Sequence, residues 1–357
     1  MSHLFNTITV GDLTLSNRIV MAPLTRGRAG LNSIPNKLMM EYYRQRAAAG
    51  LIISEATHIS PQGKGWVGAP GIHNSEQVAA WQYVTDAVHQ ANGKIFLQLW
   101  HMGRASHPDF HNGELPVAPS AIAIQGSQIR TPQGKKDQVV PRALETSEIS
   151  SIVHQYATAT QLAQAAGFDG VEIHAANGYL IDQFLRDGSN KRTDQYGGSI
   201  ENRARFLLEV TKAVVESWKP ERVGLRLSPT SNFNDQYDSD PKTTFTYVAE
   251  QLNAFNLCYL HVLEALPGHM LAMPGERITP FIREVFNGPL MINGGYTKQL
   301  ATEAVEKESA DLVSFGVPFI ANPDLVKRFK QDADLNQPDY ATFYTDGEKG
   351  YTDYSTL

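Results

Sequence analysis

Three hydrogen-bonding side chains, His174, Asn177 and Tyr179, stand together just after an apolar run that contains Val171 and Ile173. His174 and Asn177 are three residues apart, so a helical first turn would place them on one face. Tyr179 falls off that face unless the chain turns at Asn177-Gly178. Two neutral donors and a phenol can hold a polarised oxygen and deliver a proton to a neighbouring atom. A phenol with an ordinary pKa of about 10 still carries its proton at neutral pH. The plainer alternative is a polar helix cap, with His174 and Tyr179 satisfied inside a core.

Other residues suggest what would sit beside that trio. Gln98 and Arg226 lie within predicted strands and would point into a shared interior. A buried arginine is costly unless it is paired. Its partner could be an electron-rich ring or the reduced anion of one. It could equally be a carboxylate, with Glu55 and Glu264 as candidates. Thr25 offers a hydroxyl after the first apolar run. Gly294 and Gly295 follow one later run, after Asn293, and Gly316 follows another. Glycines let the backbone approach an anion and aim N–H groups at it. One Gly-Gly pair is more often a simple turn. Together, the set implies a phosphate-bearing, redox-capable cofactor on one side of a site and an oxygen-binding pocket on the other. A metal is not indicated, because His101 and His107 lack zinc-ligand spacing, and Glu172 and His174, alternating on a strand, are expected to point opposite ways. No predicted strand interior holds a Schiff-base lysine, since Lys94 only opens a strand. No Gly-x-Ser-x-Gly occurs.

These residues need elements to hold them. Eight short apolar runs recur along the chain, at about 18–22, 51–54, 95–100, 170–174, 223–228, 258–263, 290–292 and 312–315. Nearly all are followed by a helical pattern. Runs apolar on both faces belong in a parallel sheet, and eight such units predict an α/β TIM (β/α)8 barrel. A hairpin at 7–15, turning near Gly11-Asp12, precedes the first run. A long loop rich in Gly, Pro and Ser, to about residue 143, follows the third. The last helix should open at Pro323. Strand ends then gather Thr25, Ala56, Gln98, His174, Arg226, Asn293 to Gly295 and Gly316 at one mouth. In such barrels the loops after strands seven and eight often bind phosphate.

Of the 357 residues, 42% are hydrophobic and 19% charged, ample for a large core, with no linker to divide residues 1–357 into separate domains. The net charge of −6 is spread along the chain, with no basic stripe for nucleic acid and no polybasic membrane segment. No run approaches the roughly 18 apolar residues of a membrane span. One cysteine, Cys258, excludes an internal disulfide, and no signal peptide opens the sequence, so a cytoplasmic protein is expected.

Five motifs in order, NRIVMAPLTR at 17–26, QLWHMGR at 98–104, HAANGYL at 174–180, RTDQYGGS at 192–199 and GYTDY at 350–354, resemble the old yellow enzyme family of flavin-dependent ene-reductases. The resemblance runs nearly end to end. It implies noncovalent FMN at the barrel mouth, reduced by NADPH, with NADH poorer. An activated alkene (an enone, enal, maleimide or nitroalkene) then replaces the nicotinamide in a ping-pong cycle. By similarity, His174 and Asn177 hold the substrate oxygen. The β-carbon accepts hydride and Tyr179 protonates the α-carbon. Thr25 would tune the flavin, Gln98 and Arg226 would hold its pyrimidine, and Pro23, Leu24 and Ala56 would line its ring. The residues Asn293, Gly294, Gly295, Phe315, Gly316 and Val317 would complete the cofactor site. Trp66, Trp100, Arg130, Met273 and Tyr351 would form the substrate wall. Relatives are monomers or dimers. A barrel binding a phosphorylated ligand without redox chemistry, and a flavoprotein serving a quinone or a protein partner, are the alternatives.

One departure stands out. Most relatives carry arginine where this chain has Val317, so a charge-assisted bond to phosphate is lost and Pro318 removes a further donor. Weaker FMN retention than in relatives is expected. Val317→Arg should slow FMN loss on dilution, and an unchanged off-rate would discount the explanation.

Overall fold

The computed structural model describes residues 3–269 and 271–357; Met1 and Ser2, part of the N-terminal reading, lie outside them. Eight parallel strands close into a barrel in chain order. They are β1 (Ile19–Met21), β2 (Leu51–His58), β3 (Ile95–Trp100), β4 (Gly170–His174), β5 (Val223–Leu227), β6 (Tyr259–Leu263), β7 (Leu290–Asn293) and β8 (Leu312–Phe315). The eight apolar runs are the eight strands. Every residue of β2, β3, β4 and β5 is buried, as expected where helices cover the outside and side chains fill the inside. Among the described residues, no helix is long and apolar enough to cross a membrane.

The helices start where polar side chains can satisfy their first N–H groups. α1 (Lys37–Gln45) is capped by Asn36, and α2 (Ser75–Gln90) by Asn74. α3 (Thr146–Ala165) opens with a reciprocal Glu145–Glu148 box. Two short helices, α4 (Leu180–Leu185) and α9 (Val317–Ala321), were not anticipated, because five or six residues are too few to display a helical period. Between them run α5 (Ile200–Ser217), α6 (Pro241–Leu252), α7 (Thr279–Val285) and α8 (Lys298–Glu306). The final helix, α10 (Leu325–Gln331), begins after Asp324 rather than at Pro323. β2 also runs four residues beyond the expected Ser54. Its pairing with β3 slips between Ile53 and Ala56, and this irregularity sets Ala56 opposite Gln98. The long loop after β3 holds a hairpin, Gln128–Thr131 with Gly134–Asp137.

The barrel is apolar at one end and polar at the other. The N-terminal hairpin, Ile8–Val10 paired with Leu13–Leu15, packs Val10, Leu13 and Leu15 with Val20, Ile53, Phe96, Tyr259, Met291 and Leu312. This plug closes the floor. Two glycines make room for its rings: a Cβ at Gly170 would lie 2.4 Å from Phe96, and one at Gly224 2.2 Å from Tyr259. Side chains at the opposite ends of the strands form the mouth.

An arginine clasp ties the C-terminal segment to the end of β1. Arg26, fully buried, donates to Tyr42 OH (3.1 Å), Phe343 O (3.1 Å) and Gly350 O (2.8 Å). Arg28 donates to Phe343 O and Thr342 O and lies over the Tyr351 ring. Tyr351 itself stacks on Tyr42, with ring centres 4.1 Å apart. Removing the Arg26 guanidinium orphans these acceptors, a loss of about 2–4 kcal/mol for buried charged hydrogen bonds. Arg26→Met should therefore lower the Tm and make residues 340–353 the first site cut in limited proteolysis. A segment as resistant as in the native protein would contradict this role for the clasp.

Candidate active site

His174 ends β4, directly opposite Arg226 on β5. The chain does not turn helically after it. Asn177 (φ 58°) and Gly178 (φ 72°) both adopt the left-handed conformation, and Tyr179 then precedes α4. Only glycine suits position 178, where a Cβ would also lie 2.6 Å from Phe233 O. Ser228 Oγ accepts from Asn177 N (2.7 Å), and Asn234 Nδ2 donates to Asn177 O (2.9 Å). Asn234 is in turn fixed by Arg104, which donates to its carbonyl. The result sets Tyr179 against His174 by a turn, and Asn177 shares no helical face with His174. Tyr179 packs edge-on against His174 at 5.0 Å and against Trp100 at 4.9 Å. The half-buried Asn177 carboxamide makes no hydrogen bond among the described residues.

The electrostatics match the chemistry. Burial, reinforced by the positive charge of Arg226, pushes the His174 pKa well below its usual value, so the ring is neutral. Its Nδ1 is buried without a partner among the described residues. Burial raises the Tyr179 phenol, so it keeps its proton at neutral pH.

Gln98, Glu172, Arg226, His261, Asn293 and Ser314 lie beneath this group. Arg226 donates to Asn293 Oδ1 (3.0 Å), and Asn293 Nδ2 donates to Ser314 O (2.8 Å). Arg226 Nε is buried with no partner among the described residues. Neither proposed carboxylate pairs with it. Glu55 instead accepts from the N–H groups of Arg26 and Gly27, and its burial raises its pKa to about 7. Glu264 accepts from Ile278 N and Thr279 N. The acid that balances Arg226 is Glu172, whose charge opposes the burial that lowers the guanidinium pKa. The sequence reading turns Glu172 away from His174, and the structure corrects it. The signal was present: residues two apart on a strand share a face, so Glu172 points inward with His174.

At the rim beyond, Gly294 (φ 124°) and Gly295 (φ 85°) follow β7, and Gly316 joins β8 to α9. The N–H groups of Gly295, Gly316 and Val317 bind no acceptor among the described residues. Pro23, Leu24 and Thr25 follow β1, with Leu24 against Gly316 and Thr25 half-buried. Phe315 is buried, and its carbonyl accepts from Ala22 N. Ala56 packs in one cluster with Trp100, Tyr179 and the partly buried Trp66. Trp66 is joined by Tyr344, 5.4 Å away and not anticipated. Tyr351 is a correction: it is fully buried in the clasp with Tyr42 and does not face the mouth. Arg130 stands exposed on its hairpin, and Met273 is exposed in the loop between β6 and α7. Among the described residues, no hydrogen bond or ring contact ties either to the His174–Tyr179 group.

A neutral imidazole and a free carboxamide beside a protonated phenol can bind and protonate a polarised molecule. Arg226 Nε as donor, with the Gln98 amide beside it, suits the imide edge of a heterocycle. Free N–H groups across the rim suit its phosphate.

Residues 3–336 match the family described as NADH:flavin oxidoreductase / NADH oxidase. The chain is 46% identical to 12-oxophytodienoate reductase 7 of Oryza sativa subsp. japonica, covering 99% of this chain and 94% of that protein. It is 47% identical to a probable flavin mononucleotide-dependent alkene reductase of Leishmania infantum, covering 97% and 95%. Among solved structures, the old yellow enzyme homologue from Zymomonas mobilis superposes with a TM-score of 0.97 at 47% identity, covering 99% of each chain. Morphinone reductase in complex with tetrahydroNAD gives 0.95 at 48% identity, covering 100% of this chain and 98% of that one.

Neutral buried rings carry a consequence for stability. Burial depresses His58, His174 and His261, and takes His101 to about 3. Below about pH 6.5 the unfolded chain binds protons that these rings refuse, so stability falls as pH falls, for His101 down to about 3. Glu55 acts oppositely: its contribution is full below its unfolded value and is lost as pH rises through about 7. His101→Gln isolates one ring. Between about pH 5 and 6 its unfolding free energy should vary less steeply than the native protein's, by about 1.4 kcal/mol per pH unit. Parallel pH profiles would show that His101 titrates normally.

Proposed function

The chain belongs to the NADH:flavin oxidoreductase / NADH oxidase family, an FMN- and NAD(P)H-dependent oxidoreductase of the ene-reductase type, and on that premise we propose that it reduces enones, enals, maleimides and nitroalkenes at the His174–Asn177–Tyr179 rim. The observation that carries this reading is a pair of buried nitrogens, His174 Nδ1 and Arg226 Nε, without partners among the described residues, on paired strand ends at one mouth. A buried polar atom left without a partner is costly, so both are best read as awaiting ligands.

The residues present fit FMN. Arg226 and Gln98 would take the pyrimidine edge, and Thr25 with Pro23, Leu24 and Ala56 would lie along the ring. Asn293 and Phe315 would border it, while the N–H groups of Gly294, Gly295, Gly316 and Val317 would hold the phosphate. FMN supplies hydride chemistry when bound, recharged by the nicotinamide.

The protein's own groups do the rest. His174 and Asn177 donate to the carbonyl or nitro oxygen of the substrate. Negative charge grows on that oxygen as the β-carbon is attacked, so these bonds strengthen towards the transition state. An unactivated alkene offers no such oxygen. Neutral His174 suits this task, because it donates without bringing a mobile proton. Tyr179 holds its proton until the α-carbon becomes basic, then gives it up. Trp100 and Trp66, with Tyr344 beside them, would shape the substrate pocket. Arg130 and Met273 are secondary candidates for the outer wall.

The purified protein should be yellow, bleach anaerobically with NADPH, and recolour with 2-cyclohexenone or N-ethylmaleimide. Reoxidation by quinones alone would favour a different physiological acceptor. Tyr179→Phe should slow the alkene half-reaction by about 100-fold or more and leave flavin reduction by NADPH nearly unchanged. Equal losses in both half-reactions would remove Tyr179 from proton donation. His174→Ala should weaken binding of a simple phenol by about tenfold.

A further inference from the structure

Four side chains on barrel strands β3, β4, β6 and β8 form one directed chain beneath the mouth. Ser314 on β8 lies 2.8 Å from His261 Nε2, and His261 Nδ1 lies 2.9 Å from Glu172 Oε2. Glu172 Oε1 accepts from Gln98 Nε2 at 2.8 Å. All four are buried, none more than 2% exposed.

The direction of each bond follows from the groups. Burial keeps His261 neutral, so it carries a single N–H. A carboxylate can only accept, so that hydrogen sits on Nδ1. Nε2 must then accept from the Ser314 hydroxyl. The other carboxylate oxygen takes an N–H of the Gln98 amide. Turning that amide over would set its oxygen 2.8 Å from Glu172 Oε1, acceptor against acceptor, and forfeit the bond. Gln98 Oε1 is therefore the end left over, with no hydrogen bond among the described residues. The charge this arrangement needs is balanced nearby, since Glu172 and Arg226 attract each other.

We propose that Glu172, His261 and Ser314 are positioning residues that lock the Gln98 amide with its oxygen towards the cofactor, so that the site selects the imide N–H of the flavin. This inference rests on the FMN reading above. An unlocked glutamine would present oxygen or nitrogen with equal ease and would tolerate a cofactor lacking that hydrogen. The serine, histidine and carboxylate thus resemble a nucleophilic triad in spacing but serve an amide instead. No substrate could reach Ser314, which is buried under the mouth.

The test compares apoprotein binding of FMN and of 3-methyl-FMN, which lacks the imide hydrogen, by quenching of flavin fluorescence. The native protein should prefer FMN by at least about tenfold. Glu172→Gln gives position 172 an amide that can face either way, and should cut that preference to about threefold or less. Gln98→Leu should abolish it. In the double variant, Glu172→Gln should add nothing to Gln98→Leu, because it acts only through that amide. Ser314→Ala removes one oxygen at the far end and should lower the preference in the same direction, by a smaller factor. It decides the matter if Glu172→Gln fails to fold. A preference unchanged in the folded variants, or independent effects in the double variant, would overturn the lock. Native apoprotein that binds neither flavin would instead overturn the FMN reading.

Discussion

A closed parallel barrel admits no water between its strands, so every polar atom carried into its interior must be answered by another side chain or by a ligand. That constraint organises this molecule. Towards the floor the problem is avoided: the hairpin plug and its facing rings are almost wholly apolar. Towards the mouth it is met head-on. Glu172, His261, Ser314, Gln98, Arg226 and Asn293 answer one another across six strands, and what they leave unanswered points to the site. A buried charge network of this kind is a weak source of stability. Its value here lies in orientation.

The architecture was legible because each strand is covered on both faces, which writes eight apolar runs into the sequence. The mouth residues followed from the barrel rule that strand ends converge. What escaped has physical reasons. β2 continues past Ser54 because its later residues, Glu55, Thr57 and His58, are buried by partners that only the fold supplies. The turn that Tyr179 needs was legible in the Asn177-Gly178 pair, but the left-handed φ of Asn177, which rules out a helical face shared with His174, was not. Glu172 was legible from strand alternation, but the alternation was misapplied: residues two apart share a face, so it lies with His174 and not opposite it. Tyr351 was misplaced because an aromatic near the end of a chain carries no periodicity that says which way it faces. Its burial is dictated by Arg26 and Arg28, more than three hundred residues away in sequence.

The clasp and the site are connected. Arg26 immediately follows Thr25, and the same arginine holds Phe343, next to Tyr344. Tyr344 leans on Trp66. The outermost aromatic wall is therefore anchored to the end of β1 through buried guanidinium bonds, and a loop position is held by core chemistry. Glu55 joins the same arrangement by accepting the Arg26 and Gly27 amides, which fixes the backbone just beyond Thr25.

The stopper formed by Val10, Leu13 and Leu15 makes the barrel a blind well. With the floor shut, everything that reacts must come and go through one opening. On the function proposed above, reductant and oxidant share that one opening and cannot queue from opposite sides. Turn-taking in this protein needs no moving gate, because the shape of the well already enforces it.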